Sequence, residues 1–358
     1  RPPLAIIEPV QEALKNRFTG YAPSAGLLEA REAVARWATA LGASTSPDEV
    51  VVTSGASEAA ELALTALLNN EEEVLVPAPG YPLYTAIINK LGAYPRPYRL
   101  NPEHGWECSV DEVRSQVNNK TRAIVLINPN NPTGSVTSDK TTSALLDLAV
   151  EHNLVVISDE VYRDLCFNKA PTSASVMAQE IPVPVITLES LSKTHMVPGW
   201  RVGWMRYTNT RGMSDVTKGI TKLASGRLCS PTPTQYAIQP ALEASKDFVH
   251  NFIEQLRTRR DYITDRIKRI PTLSCDIPAA AFYLMVKVNG LGKKTDEQFA
   301  LDLLEKTGVL VVHGSGFGLN PFDGYFRLVY LADEQLLEKT FDAIADFIGV
   351  SIKDCGER

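Results

Sequence analysis

Long apolar runs are missing from these 358 residues; runs such as Ala123 to Ile127 and Leu154 to Ile157 are only strand-length. A bilayer-spanning helix needs about 20 consecutive apolar residues, so no membrane partner is expected. No basic segment followed by an apolar stretch opens the chain, so no secretory signal is expected either. Cysteine is scarce: Cys108, Cys166, Cys229, Cys275 and Cys355 are odd in number, widely scattered and never arranged C-x-x-C. That pattern argues against zinc, any other metal centre and a disulfide framework, and fits reduced thiols in a cytoplasmic protein. Basic charge is not in excess. The formal net charge is −6, which argues against nucleic acid as a partner, since neutralising phosphates takes clustered Lys and Arg. One basic run, Arg257 to Arg269, is interrupted by Asp261 and Asp265 and predicts a solvated helix face. Internal repeats and low-complexity linkers are absent.

What is present is alternation. Short β-branched runs at Val50 to Thr53, Val74 to Val76, Ala123 to Ile127, Leu154 to Ile157, Val185 to Leu188 and Val202 to Tyr207 read as buried strands. Helical periodicity marks Leu27 to Leu41, Ser57 to Leu68, Pro82 to Leu91, Thr141 to His152 and Asp215 to Ser225. Repeated β–α alternation predicts an α/β fold with a mostly parallel sheet covered by helices on both faces. One long charged helix is expected near 246–270. Strands near Phe282 to Val288, Val309 to Val312 and Tyr325 to Leu331 follow, with helices at Glu297 to Lys306 and Asp333 to Ile348. This gives a large domain over 22–248. A smaller α+β domain comprises 249–358 and residues 1–21, which carry a helix around Glu8 to Lys15.

Four segments carry chemistry. In Ser190-Leu191-Ser192-Lys193, followed by Gly199-Trp200-Arg201-Val202-Gly203, a lysine sits just past a predicted strand end, where open α/β sheets bind ligands. The Lys193 amine can form a Schiff base, while Ser190, Ser192 and Arg201 suit a phosphate dianion; a phosphorylated carbonyl cofactor would satisfy the set. Asp159, in Ser158-Asp159-Glu160-Val161-Tyr162, ends an apolar strand and would need a cationic partner such as a protonated pyridine nitrogen. Tyr162 is placed to reach the ring's phenolic oxygen. Taken alone, that stretch reads equally well as a helix cap with a core tyrosine. Asn128-Pro129-Asn130-Asn131-Pro132-Thr133-Gly134 predicts a rigid turn that aims the Asn131 amide at the ring. Thr53-Ser54-Gly55-Ala56-Ser57, between a strand and a helix start, reads as a phosphate cradle or as an ordinary cap.

Together these segments resemble the fold-type I, aspartate-aminotransferase-like pyridoxal-phosphate enzymes, in the right order along nearly the whole chain. The S-x-S-K-x5-G-x-R-x-G pattern is the most specific element. The resemblance implies pyridoxal 5′-phosphate bound covalently to Lys193, which also shuttles the proton. Asp159 would meet the ring nitrogen, Asn131 and Tyr162 the phenolic oxygen, and Tyr81, in Gly80-Tyr81-Pro82, would stack on the ring. Arg201, Ser190, Ser192, Ala56 and Ser57 would hold the phosphate, with Gly55 shaping that loop. Tyr21 would reach the phosphate of a neighbouring subunit, implying a homodimer with shared sites. Arg327, in Tyr325-Phe326-Arg327-Leu328-Val329, would grip the substrate carboxylate, with Asn131 and Tyr81 beside it. Residues 227–235 and 312–318 resemble those of alanine (glutamate–pyruvate) aminotransferases. The implied activity is ping-pong transfer of an amino group between a small amino acid and a 2-oxo acid. Another reaction on the same scaffold, such as C–S β-elimination or a biosynthetic conversion, is the alternative. A ligand-sensing regulator is not expected, because the chain shows no basic helix-turn-helix before Tyr21 or after Ile348. Gly314-Ser315-Gly316-Phe317-Gly318 lies far from the first β–α turn, so it is not a dinucleotide fingerprint. His313 before it reads as packing at a strand end, with substrate contact as the second reading. In the family, residues preceding the position of Arg1 help line the substrate pocket.

Overall fold

The computed structural model describes residues 1–349; the expected thiol Cys355 and the end of the expected small domain lie outside them. Eight strands form one sheet: β1 (Val50–Thr53), β2 (Glu73–Ala78), β3 (Tyr94–Asn101), β4 (Glu107–Cys108), β5 (Thr121–Ile127), β6 (Val155–Asp159), β7 (Val185–Ser190) and β8 (Gly203–Thr208). Their order is β1-β8-β7-β6-β5-β2-β3-β4. Pairings across β3, β2, β5, β6 and β7 are parallel, whereas β8 runs antiparallel to both β7 and β1.

Side chains on this sheet alternate between two cores, as the two-residue strand period requires. Val74, Val76, Ala123, Val125, Ile127 and Ile157 pack on one face beneath helices Ala56–Leu67, Leu83–Lys90 and Ser214–Gly226. Leu75, Ile124, Leu126 and Val156 face the other side, against Leu145, Leu146 and Leu148 of helix Asp139–Glu151. Burial of both faces explains why these strands are continuous apolar runs.

A second, antiparallel sheet contains β9 (Leu273–Cys275), β10 (Tyr283–Val288), β11 (Val312–His313) and β12 (Tyr325–Val329), in the order β11-β12-β10-β9. Phe326 and Leu328 of β12 pack against Leu256, Ile263 and Ile267 of helix Lys246–Lys268 and against Phe341 and Ile344 of helix Glu334–Ile348. The same core takes in Val161, Tyr162, Leu165 and Phe167 from the loop after β6. The small sheet is thereby seated against the carboxyl end of the large one.

Several features depart from the sequence expectations. Strand β3 was not anticipated, because Pro95 and Pro97 argue against a strand; it lies next to the sheet edge, where short β4 pairs only with Leu100 and Asn101. Residues 309–311 form no strand, and only Val312–His313 pairs with β12. The basic face of the long helix is not simply solvated. Arg260 lies over the Phe167 ring at 4.3 Å, and only 12% and 13% of the Arg260 and Arg266 side chains are exposed. Helix Leu4–Lys15, assigned to the small domain, puts Ile6 and Val10 among Val50, Val52, Trp204 and Ile238, at the β1 edge of the large sheet.

Strand direction decides where the site forms. β2, β5, β6 and β7 are mutually parallel, and two antiparallel steps through β8 turn β1 the same way. The carboxyl ends of these five strands therefore share one edge. Between β2 and β5 the chain order reverses, since β3 lies outward on one side and β6 and β7 on the other. Open α/β sheets place their ligand crevice at such a switch point.

Candidate active site

A cavity of about 420 Å³ opens at that edge, lined by residues that follow each of the five strands and by Tyr283 and Arg327 of the small sheet. Of the residues singled out in the sequence, Ala56, Ser57, Tyr81, Asn131, Asp159, Tyr162, Ser190, Ser192, Lys193, Arg201 and Arg327 all line it. Gly55 lies just behind Ala56. Tyr21 does not line it and is 82% exposed. His313 turns to its own loop, where Nδ1 meets the Ser315 hydroxyl at 2.8 Å and accepts the Gly316 N–H; this matches the packing reading.

Lys193 sits in the single helical turn Leu191–Thr194 that follows β7. Ser190 caps the turn: its Oγ accepts the Ser192 N–H at 3.0 Å and its hydroxyl reaches Val202 O at 2.8 Å. Below the cap, β7 and β8 are clamped by a buried ion pair. Arg206 meets both Glu189 oxygens at 2.8 and 3.0 Å, and the Trp204 indole N–H donates to the same carboxylate. Burial pushes the Lys193 amine below its ordinary pKa, and the charges of Arg201 and Arg327 push further, against the opposing pull of Asp159. A neutral amine is a nucleophile and a base; an ammonium is neither.

Asp159 ends β6, is 8% exposed, and has a pKa raised by burial. Its Oδ2 accepts the Tyr84 hydroxyl at 2.7 Å and its Oδ1 the Val161 N–H at 3.2 Å. Among the described residues no cation lies within ion-pair distance of it. Arg201 is its electrical complement. Among the described residues the guanidinium donates only to carbonyls, Ser54 O and Pro198 O, each at 3.0 Å. It lies beside the start of helix Ala56–Leu67, whose first N–H groups carry the positive end of the helix dipole. Gly55 makes this approach possible: its φ of 82° and ψ of 168° suit glycine alone, and a Cβ there would fall 2.5 Å from Arg201 Nη2.

Arg327 rises from β12 into a sandwich of aromatic rings, 4.6 Å from the Tyr283 centroid and 4.7 Å from that of Phe317. Its Nη1 donates to Asn131 Oδ1 at 2.9 Å, while the buried Nε has no partner among the described residues. Because guanidinium only donates, the Asn131 oxygen must face it, and the Asn131 amino group remains to donate to a ligand. Tyr162 and Tyr283 join their hydroxyls at 2.9 Å.

Among the described residues, a buried carboxylate without a cation, two arginines without carboxylates and a lysine biased toward neutrality thus surround one cavity. Such a set fits a ligand that carries a protonated ring nitrogen at one end and anions at others. Tyr84, Tyr283, Phe317 and the Glu189–Arg206 pair were not singled out from sequence; Tyr84 and Tyr283 read there only as parts of a helix and a strand.

Known proteins resemble this chain in sequence and in fold. Residues 2–344 match the family model described as aminotransferase class I and II. The glutamate-pyruvate aminotransferase AlaA of Haemophilus influenzae is 35% identical over 336 residues, 92% of this chain and 82% of that protein. The solved alanine aminotransferase from Pyrococcus furiosus superposes with a TM-score of 0.94 at 36% identity, covering 98% of this chain and 88% of that one. A mutant of the Thermus thermophilus aspartate aminotransferase gives 0.89 at 30% identity, covering 97% and 93%. No helix among the described residues is long and apolar enough to cross a membrane. The chain belongs to the class I and II aminotransferases and is a transaminase built on the aspartate-aminotransferase fold.

Proposed function

We propose that this transaminase uses pyridoxal 5′-phosphate to move an amino group between alanine- or glutamate-type amino acids and 2-oxo acids. The observation that carries this reading is the shared cavity of the Lys193 amine and the unpaired, buried Asp159 carboxylate. The cofactor, when bound, supplies an aldehyde to accept the amino group and a ring that withdraws electrons from the substrate carbon.

Each residue then has a task that follows from its position. Asp159 would hold a proton on the ring nitrogen, and Tyr162 and the Asn131 amino group would donate to the phenolic oxygen. Arg201, the N–H groups of Ala56 and Ser57, and the hydroxyls of Ser57, Ser190 and Ser192 would cradle the phosphate, over a Gly55 that keeps the loop close. Tyr81 covers the ring face. Lys193 would hold the cofactor through its amine. Its amine, biased toward the neutral form, would be placed to hold or move a proton at the substrate Cα. Arg327, already flattened between two rings, presents its fork to the substrate carboxylate.

Tyr21, exposed in one chain, would complete the phosphate site of a second copy, so the working unit is a homodimer. The preference for small amino acids rests on relatives named alanine or glutamate–pyruvate aminotransferases. A cytoplasmic setting fits the four free cysteines among the described residues.

The test is a panel of amino donors offered with pyruvate or 2-oxoglutarate. Alanine and 2-oxoglutarate should yield pyruvate and glutamate one for one, with parallel-line initial-rate kinetics. The Lys193→Ala variant should lack both turnover and the adduct that borohydride makes permanent. Steady release of ammonia instead of glutamate would reassign the reaction to a lyase.

A further inference from the structure

We propose that Tyr84 is a positioning residue that orients the Asp159 carboxylate toward the ring nitrogen of the cofactor, an inference that rests on the pyridoxal-phosphate reading. Tyr84 stands on helix Leu83–Lys90, one turn beyond Tyr81, and only 1% of it is exposed. Its ring is set in the core with Val76, Ile88, Val125 and Ile157, so the hydroxyl has little freedom. Burial, and then the charge of Asp159, hold the phenol well above its ordinary pKa, which keeps it a donor.

A carboxylate at the end of a strand can turn about its Cβ–Cγ bond. Here two donors stop that turn, one on each oxygen: the Tyr84 hydroxyl on Oδ2 at 2.7 Å and the Val161 N–H on Oδ1 at 3.2 Å. Each oxygen keeps a second lone pair, in a plane those donors define. Val161 N–H comes from the chain itself and survives any substitution. Tyr84 is therefore the side chain that fixes the plane, and the shorter of the two bonds is its own.

The same bond favours the ionised form of Asp159. Removing it leaves a buried carboxylate with one partner, free to rotate and more basic. Both changes loosen its grip on a ring N–H. Neither alters contacts with the phosphate or the aldehyde.

Binding of cofactor by the apoenzyme separates this role from a structural one. The probes are pyridoxal 5′-phosphate and its 1-deaza analogue, which replaces the ring nitrogen with C–H and keeps the shape. Wild type should prefer the natural cofactor. Tyr84→Phe should weaken pyridoxal phosphate by about tenfold or more, the value of a hydrogen bond to a charged group, and leave the analogue unchanged. Equal losses for both probes, or no loss for either, would overturn the proposal. A wild-type enzyme with no preference between the probes would instead sink the reading of Asp159 as the ring-nitrogen partner.

The Asp159→Asn background supplies the second measurement. There Tyr84→Phe should cost no further affinity, since no carboxylate remains to orient. Should Tyr84→Phe alone unfold, the double variant has no buried charge to leave unpaired and must fold. If it does not, the hydroxyl serves the core and the proposal falls.

Discussion

Arg327 and Asn131, 196 residues apart in sequence, meet through a single 2.9 Å hydrogen bond that joins the small sheet to the loop after β5. The bond fixes the orientation of both groups: the guanidinium cannot accept, so the amide oxygen must turn to it. Tyr283 and Phe317 complete the fixing by holding the guanidinium plane between their rings. A lysine in that place would have a point charge but no plane to stack and no second N–H to fork. Arg327→Lys should therefore lower kcat/KM for amino donors by roughly a hundredfold, mainly through KM, with cofactor affinity unchanged. Steady-state kinetics with alanine and glutamate decide it, and an unaltered KM for both would remove Arg327 from the substrate site.

Gly55 offers a test of the phosphate end. Its backbone lies in a region open only to glycine, and the new methyl of Gly55→Ala would collide with Arg201. Strain of this kind costs about 1–3 kcal/mol, and Arg201 must also move. Affinity of the apoenzyme for pyridoxal phosphate should fall at least about tenfold, while pyridoxal, which lacks the phosphate, should bind as before. If both ligands weaken alike, the loop serves the fold and not the phosphate.

Much of this site was legible because its residues follow strands in the chain. Lys193, Asp159, Asn131 and Gly55 each stand at the end of an apolar run, and strand direction alone gathers such ends. Tyr84 and Tyr283 were not legible for the opposite reason. Each sits inside a regular element, where its spacing matches core packing, and only the fold shows that one hydroxyl meets Asp159 and the other Tyr162. β3 was hidden by Pro95 and Pro97, since a proline signal records lost N–H donors and not the neighbour that tolerates their loss. The N-terminal helix was misplaced because its apolar stripe, Ile6, Val10 and Ala13, says that it packs and not where. Arg260 and Arg266 read as solvent-facing because sequence counts charges and cannot see the Phe167 ring or Asp342 waiting for them.

Behind the lysine-bearing turn, the Glu189–Arg206 pair is almost wholly buried. A buried pair contributes little net stability, but breaking it strands a charge. Arg206→Met should destabilise the protein by about 3–5 kcal/mol, and adding Glu189→Leu should restore much of the loss. Urea denaturation at neutral pH measures both. A single variant within about 1 kcal/mol of wild type would mean that water reaches the Glu189 carboxylate at little cost.

His195, two residues beyond Lys193, ties the same turn to the start of the long helix. Its Nδ1 meets the Thr194 hydroxyl at 2.8 Å, and its Nε2 lies 2.6 Å from Ser245 Oγ and 3.2 Å from Ala241 O. Burial lowers its pKa to about 4, only partly opposed by the Ala241 carbonyl. The folded protein thus prefers neutral imidazole, while an unfolded chain protonates it near its ordinary pKa of about 6.5. Because the folded value is the lower one, the stabilisation is complete above about pH 6.5, declines as the pH falls, and is gone below about pH 4. The shift corresponds to about 3 kcal/mol across that window. His195→Gln keeps a polar, uncharged side chain and removes the titration. Denaturation free energies at pH 7 and pH 4.5 should differ less in the variant than in wild type, by about 2 kcal/mol or more. Equal pH dependence in the two proteins would show that His195 accepts a proton inside the fold and that this junction opens to water.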